Sequence, residues 1–151
     1  MRSEAYSFRG GEQILTEKGL WSDLRQMVDK MEEMGDTEAV GTADDLGWDT
    51  EVEVVGDGIA PREFNWKYDA YKDGVAIEFE RGQQVKMRWN WIKFQLGYEG
   101  VPTSMVDVGV LLITRSRGQG AVSRCKRELE SNVFNNVLNL TVPMVIAEFE
   151  D

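Results

Sequence analysis

The sequence predicts an α/β domain with a mixed β-sheet, and three features carry that expectation. Asp73-Gly74 separates two strand-like runs, and Asp-Gly readily supplies the positive φ angles that a type I′ hairpin turn needs. Val106 to Thr114 (VDVGVLLIT) is an almost unbroken apolar run rich in β-branched residues, which fits a strand buried on both faces. Segments with helical apolar spacing lie between the strands, so an antiparallel hairpin is followed by crossovers through helices.

Taken in order, Leu20 to Met34 (LWSDLRQMVDKMEEM) places apolar residues at 20, 24, 27, 28, 31 and 34, the three-and-four spacing of one helical face. Ser22 or Asp23 is suited to cap this helix and Gly35 to end it. Residues 35–47 read as an acidic, mobile loop, which extends to about 50 at its widest. Glu51 to Val55 alternates as a short strand, and Phe64 to Lys72 with Val75 to Glu80 makes the hairpin. Gln83 to Leu96 (QQVKMRWNWIKFQL) reads as a helix in which Val85, Trp89, Ile92 and Leu96 recur at helical spacing. Trp89 and Trp91 cannot both point inward on one helix, so one is expected in the core. A further helix is expected over Arg124 to Val137, and Pro143 introduces a last strand, Met144 to Phe149. No internal repeat is present, and 1–151 reads as a single domain.

At 151 residues and 42% hydrophobic content, the chain has enough apolar surface for one real core. No run approaches the roughly 20 apolar residues of a membrane span, and MRSEAYSFRGGE lacks the apolar stretch of a signal peptide. A cytoplasmic location with no membrane partner is the expectation. Cys125 is the only cysteine and histidine is absent, which excludes an internal disulfide, zinc-finger ligation, and Cys/His or Ser/His/Asp nucleophiles. Acid-base or metal chemistry must therefore rest on carboxylates, lysines and tyrosines. The formal charge of −10 argues against nucleic acid until its distribution is considered. Asp29 to Asp57 holds eleven acidic residues against Lys30 alone, so this segment accounts for all of that charge and the rest of the chain balances. Arg115 to Arg127 (RSRGQGAVSRCKR) carries five basic residues and no acidic one, and Arg81, Lys86, Arg88 and Lys93 form a second basic cluster.

The hairpin concentrates carboxylates. With a two-residue turn, Lys72 faces Val75, Tyr71 faces Ala76, Ala70 faces Ile77, Asp69 faces Glu78 and Lys67 faces Glu80. Alternation then puts Val75, Ile77 and Phe79 on one side, and Ala76, Glu78 and Glu80 on the other with Asp69 and Tyr71. Like charges opposed across a ladder are destabilising, so the group calls for a cation, a raised pKa or full solvation. A solvated strand face is the ordinary explanation of Glu-x-Glu, but Asp69 opposite Glu78 speaks against it. Hard divalent cations take oxygen ligands, and Mg²⁺ binds through one or two carboxylates with water and phosphate. A metal so held activates water without histidine.

Asp69, Glu78 nine residues on, and Glu80 at the end of a hairpin strand resemble the active site of the PD-(D/E)XK nucleases, in the variant used by the BglII and BamHI restriction endonucleases. The BglII family is the nearest match. EQILTEKGLWSDLRQMVDKM resembles its N-terminal helical region, VDVGVLLITRS its buried strand, and LNLTVPMVIAEFED its closing strand. The proline that gives the superfamily motif its first letter, often missing among its members, is absent here, since Tyr68 precedes Asp69. The resemblance implies a restriction-endonuclease-like core: a central mixed sheet flanked by helices. It further implies that Asp69 and Glu78 bind Mg²⁺ and that Glu80, placed where most members have lysine, orients or deprotonates the attacking water. The activity implied is that of a type II restriction endonuclease of a restriction-modification system, cutting double-stranded DNA at a specific site as a homodimer. Arg81, Gln83, Gln84, Lys86, Arg115, Arg117 and Arg124 are the candidate DNA contacts, since Arg and Lys meet phosphates while Arg and Gln read base edges. On the register above, Lys67 would pair with Glu80 and keep it ionised. Two other classes stay open: a non-catalytic DNA-binding or regulatory protein of the same fold, and an acidic DNA mimic that inhibits a nuclease.

Overall fold

The hairpin forms in the expected register, with Lys72 paired to Val75, Tyr71 to Ala76 and Ala70 to Ile77. Asp73 and Gly74 take φ of 50° and 82°, as a primed turn requires. A computed structural model describes residues 2–54, 66–80, 84–100, 104–114 and 120–149. Its strands are β1 (Arg2–Phe8), β2 (Asp49–Glu53), β3 (Lys67–Lys72), β4 (Val75–Glu80), β5 (Val108–Thr114) and β6 (Met144–Phe149). Its α-helices are α1 (Gly11–Lys18), α2 (Trp21–Met34), α3 (Asp36–Asp45), α4 (Gln84–Tyr98) and α5 (Ala121–Leu129), and a π-helical turn spans Val133–Val137.

The strands make one six-stranded sheet in the order β1-β6-β5-β4-β3-β2. β5 runs parallel to both β4 and β6, while the hairpin and the two edges are antiparallel. Alternation along β5 explains its continuous apolarity. Val108, Val110 and Leu112 pack with Leu15, Leu24, Met27, Met31, Ala39 and Ala43 from α1, α2 and α3. Leu111 and Ile113 pack on the opposite face with Met87, Trp91 and Phe94 of α4 and with Val122, Cys125 and Leu129 of α5. The molecule is thus a sheet between two helical layers.

Four expectations change. Residues 35–47 are not a loop: α3 occupies most of that segment. The inward residues of α3 are the fully buried Ala39 and Ala43, one turn apart, and such small side chains leave little mark on a hydrophobic pattern. Gly41 lies in this helix with open space around it, so Gly41→Ala is expected to raise unfolding free energy by about 0.5–1 kcal/mol. Urea denaturation checks this, and no gain would argue against a helix there. Next, α2 begins after Leu20 with no side-chain cap. Asp23 instead accepts the Trp48 indole N–H at 2.8 Å and lies 3.6 Å from Lys72 Nζ. The inward face of α4 is Met87, Trp91 and Phe94, while Trp89 and Ile92 are exposed. Trp89 lies against Trp66, with ring centroids 4.6 Å apart. Finally, the helix expected over Arg124 to Val137 starts earlier and breaks. The buried stripe Ala121, Val122, Cys125, Leu129 ends there, and Val133, Val137 and Leu138 are exposed.

One irregularity matters for the site. β2 and β3 pair as Asp49–Tyr71 and Thr50–Ala70, then as Val52–Tyr68 and Glu53–Lys67, which skips Glu51 and Asp69. Glu51 has φ of 53°, rare for a residue with a side chain. Strict alternation would put Tyr68 beside Ala70 under α1–α3. Because the chain is irregular at Asp69, Tyr68 packs against α4 instead, and its hydroxyl donates to the Lys93 carbonyl at 2.7 Å.

Candidate active site

The β3–β4 ladder stops at Ala70 and Ile77. Asp69 is therefore outside the ladders on both sides of β3, and its side chain takes over part of the pairing: Oδ2 accepts the Phe79 backbone N–H at 2.8 Å. This holds Asp69 beside Glu78. Glu78 and Glu80 are 5% and 6% exposed, which rules out a solvated strand face. Lys93 of α4 reaches Glu78, and it is the only basic side chain buried among the described residues. Its ammonium ion-pairs with Glu78 and also donates to the Lys67 carbonyl at 3.0 Å.

Burial pushes the Glu78 carboxyl up to about 9; the neighbouring Asp69 carboxylate adds to this, and Lys93 pulls the other way. The consequence for stability has a definite sign. Between the ordinary value of 4.5 and about 9, protonation of Glu78 therefore favours the folded protein over the unfolded chain. The contribution is complete below the lower value and disappears as pH rises through the upper one. In EDTA, the urea midpoint of the wild-type protein is expected to fall with rising pH relative to that of Glu78→Gln. Parallel profiles would show that Glu78 ionises as freely in the fold as outside it.

The expected Lys67–Glu80 pair is not made. Lys67 is opposite Glu53 on β2, because the strands part before reaching Glu80. Across the sheet, Glu80 pairs with Ile113, and Ile113 with Glu148, which is 2% exposed. Glu78, Glu80 and Glu148 thus lie towards the carboxyl ends of the parallel strands, where open α/β sheets place ligands. The three hairpin acids do not close together: among the described residues no cluster of three acidic or other ligating side chains reaches metal-binding distance. The Asp69–Glu78 pair does fit a hard divalent ion, being two adjacent oxygen donors at a covered site.

Of the candidate DNA contacts, Gln84 opens α4 and Lys86 is exposed in its first turn. Arg124 lies half-buried on α5, its Nε enclosed without a hydrogen-bond partner among the described residues. Arg81, Gln83, Arg115 and Arg117 lie outside the described residues. Arg88 is committed elsewhere, holding Glu128 of α5 through two contacts at 2.5 and 3.1 Å. Lys93, read from the sequence only as one member of a basic cluster, is the site residue that sequence reasoning did not place at the carboxylates. The available signal is its setting between Trp91, Ile92 and Phe94, since a lysine on the covered side of a helix needs a buried partner.

No family model and no curated protein matches the sequence. In three dimensions the chain is similar to the restriction endonuclease BglII in its crystal structure with a DNA 16-mer. The TM-score is 0.71 and the identity 12%, over 100% of this chain and 77% of that one. The fold is that of a restriction endonuclease. At this identity the likeness is one of architecture, and it covers all six strands and both helical layers. Within the restriction-endonuclease fold, no described helix is long and apolar enough to cross a membrane.

Proposed function

We propose that the chain is a Mg²⁺-dependent endonuclease of the restriction type, hydrolysing phosphodiester bonds at a specific site in double-stranded DNA as a homodimer. The observation that carries this reading is the Asp69–Glu78 pair at the point where a hairpin opens, within a restriction-endonuclease fold. Both Glu78 and Glu80 carry the cost of burial, which an apolar pair at these positions would avoid. Asp69 and Glu78 would hold the cation, whose chemistry when bound would be to polarise the phosphoryl group and make a water more acidic. The Phe79 N–H fixes the Asp69 carboxylate. Glu80, further along β4 and covered from solvent, orients or deprotonates the water. Arg81, Gln83, Gln84, Lys86, Arg115, Arg117 and Arg124 are proposed to contact the duplex, with the phosphate contacts making binding salt-sensitive.

The test is incubation of long duplex DNA with the purified protein in Mg²⁺ and in EDTA. Discrete fragments in Mg²⁺ alone support the reading. Salt-sensitive binding without cutting in any divalent ion would replace it with the non-catalytic alternative, and absence of DNA binding would favour the acidic mimic.

A further inference from the structure

Building on the nuclease reading above, we propose that Lys93 is the resident counter-ion of the Asp69–Glu78 pair, which bridges the metal-free site and gives up Glu78 when a divalent cation enters. Two adjacent carboxylates in a covered site need positive charge nearby, or one of them must stay neutral. The strand offers none, since position 80 is itself a glutamate. The charge comes from α4. Lys93 is 6% exposed, and its ammonium touches the Glu78 carboxylate on β4 and the Lys67 carbonyl on β3. These strands are no longer joined by ladder hydrogen bonds at this level, so the one side chain ties both arms of the open fork.

The local packing keeps the ammonium in place. The Lys93 carbonyl accepts the Tyr68 hydroxyl at 2.7 Å, and the adjacent Phe94 ring stacks on Tyr68 with centroids 6.0 Å apart. The backbone of this helical turn is thereby held against β3 on the side where the fork opens. A lysine suits the task because its point charge sits on a flexible stem and can leave without disturbing the helix. Its partner on β4 is one of the two proposed cation ligands, so the ammonium and a divalent ion compete for the same oxygen.

Thermal unfolding of the wild-type protein, Lys93→Met and Glu78→Gln, each in EDTA and in millimolar Ca²⁺ without DNA, tests this. In EDTA, Lys93→Met is expected to unfold roughly 5–10 °C below wild type, because the buried Asp69–Glu78 pair loses its positive partner. Ca²⁺ should restore most of that loss, giving Lys93→Met a stabilisation at least twice that of wild type, and it should do nothing for Glu78→Gln. Lys93→Gln keeps a donor for the Lys67 carbonyl without the charge and should show the same enlarged response. It substitutes for Lys93→Met should that variant fail to fold. Equal Ca²⁺ stabilisation of wild type and the Lys93 variants, abolished by Glu78→Gln, would overturn the counter-ion role and leave the cation site standing. An unchanged unfolding temperature for Lys93→Met in EDTA would also overturn it. Absence of any Ca²⁺ response in all variants would remove the cation site itself, and the nuclease reading with it.

Discussion

Glu78→Gln is expected to bind duplex DNA and fail to cut it. The substitution keeps the volume of the side chain and leaves Lys93 an oxygen acceptor, while removing the negative charge that would hold the cation. Loss of an outer partner at a metal centre commonly lowers activity by 10–100-fold, so removal of a direct ligand should lower it by at least about 100-fold. The fold should survive, because a neutral amide is less costly to bury than a carboxylate. Fragment release from labelled DNA in Mg²⁺ gives the rate, and binding in Ca²⁺ shows that the variant is otherwise intact. Asp69→Asn should behave alike, since its amide oxygen can still accept the Phe79 N–H. If Glu78→Gln cut at the wild-type rate, the proposed chemistry would have to be abandoned, whatever the fold.

The second large effect concerns Gly109. This residue lies in β5 directly beneath Phe94, and a Cβ there would meet three ring atoms at 2.4, 2.5 and 2.8 Å. The ring is fully buried and stacked on Tyr68, so it has little room to give way. Gly109→Val should therefore push α4 away from the sheet. Overpacking of this kind costs about 1–3 kcal/mol, which lowers the unfolding temperature by roughly 2–12 °C in a chain of this length. The displacement falls on the turn that carries Lys93, so the same variant should weaken metal-free stability and DNA cutting together. Calorimetry with a parallel cleavage assay measures both. A valine variant as stable and active as wild type would mean that α4 is not seated on β5 as described.

What could be read from the residues alone depended on how strongly each feature reported itself. Asp73-Gly74 specifies a turn chemically, and from it the register of β3 on β4 followed as far as Ala70 and Ile77. The run from Val108 to Thr114 and the Pro143-led strand were equally plain, because buried parallel strands must be apolar on both faces. α3 was hidden by its small inward residues. β1 was hidden by composition, since RSEAYSF has neither an apolar run nor strict alternation and becomes a strand by pairing with β6. In the site, alternation correctly grouped Glu78 and Glu80, but an ideal ladder could not reveal the interruption at Asp69. That departure turns an unfavourable cross-strand pair into a side chain held by the Phe79 N–H. Lys93 required tertiary packing to be seen, because only the position of α4 over β4 brings it to Glu78.

The kink at Glu51 acts at the outer margin of the molecule as well as at its centre. Among the described residues β2 is an edge strand, and along it the exposed Asp49, Glu51 and Glu53 alternate with the partly covered Thr50 and Val52. A second copy laid antiparallel along that margin would meet acid against acid, and at φ 53° the middle residue has already left the extended geometry that a docking strand must match. The departure from regularity that frees Asp69 on one side of the ladder thus leaves β2 on the other side a poor template for strand addition by a second copy.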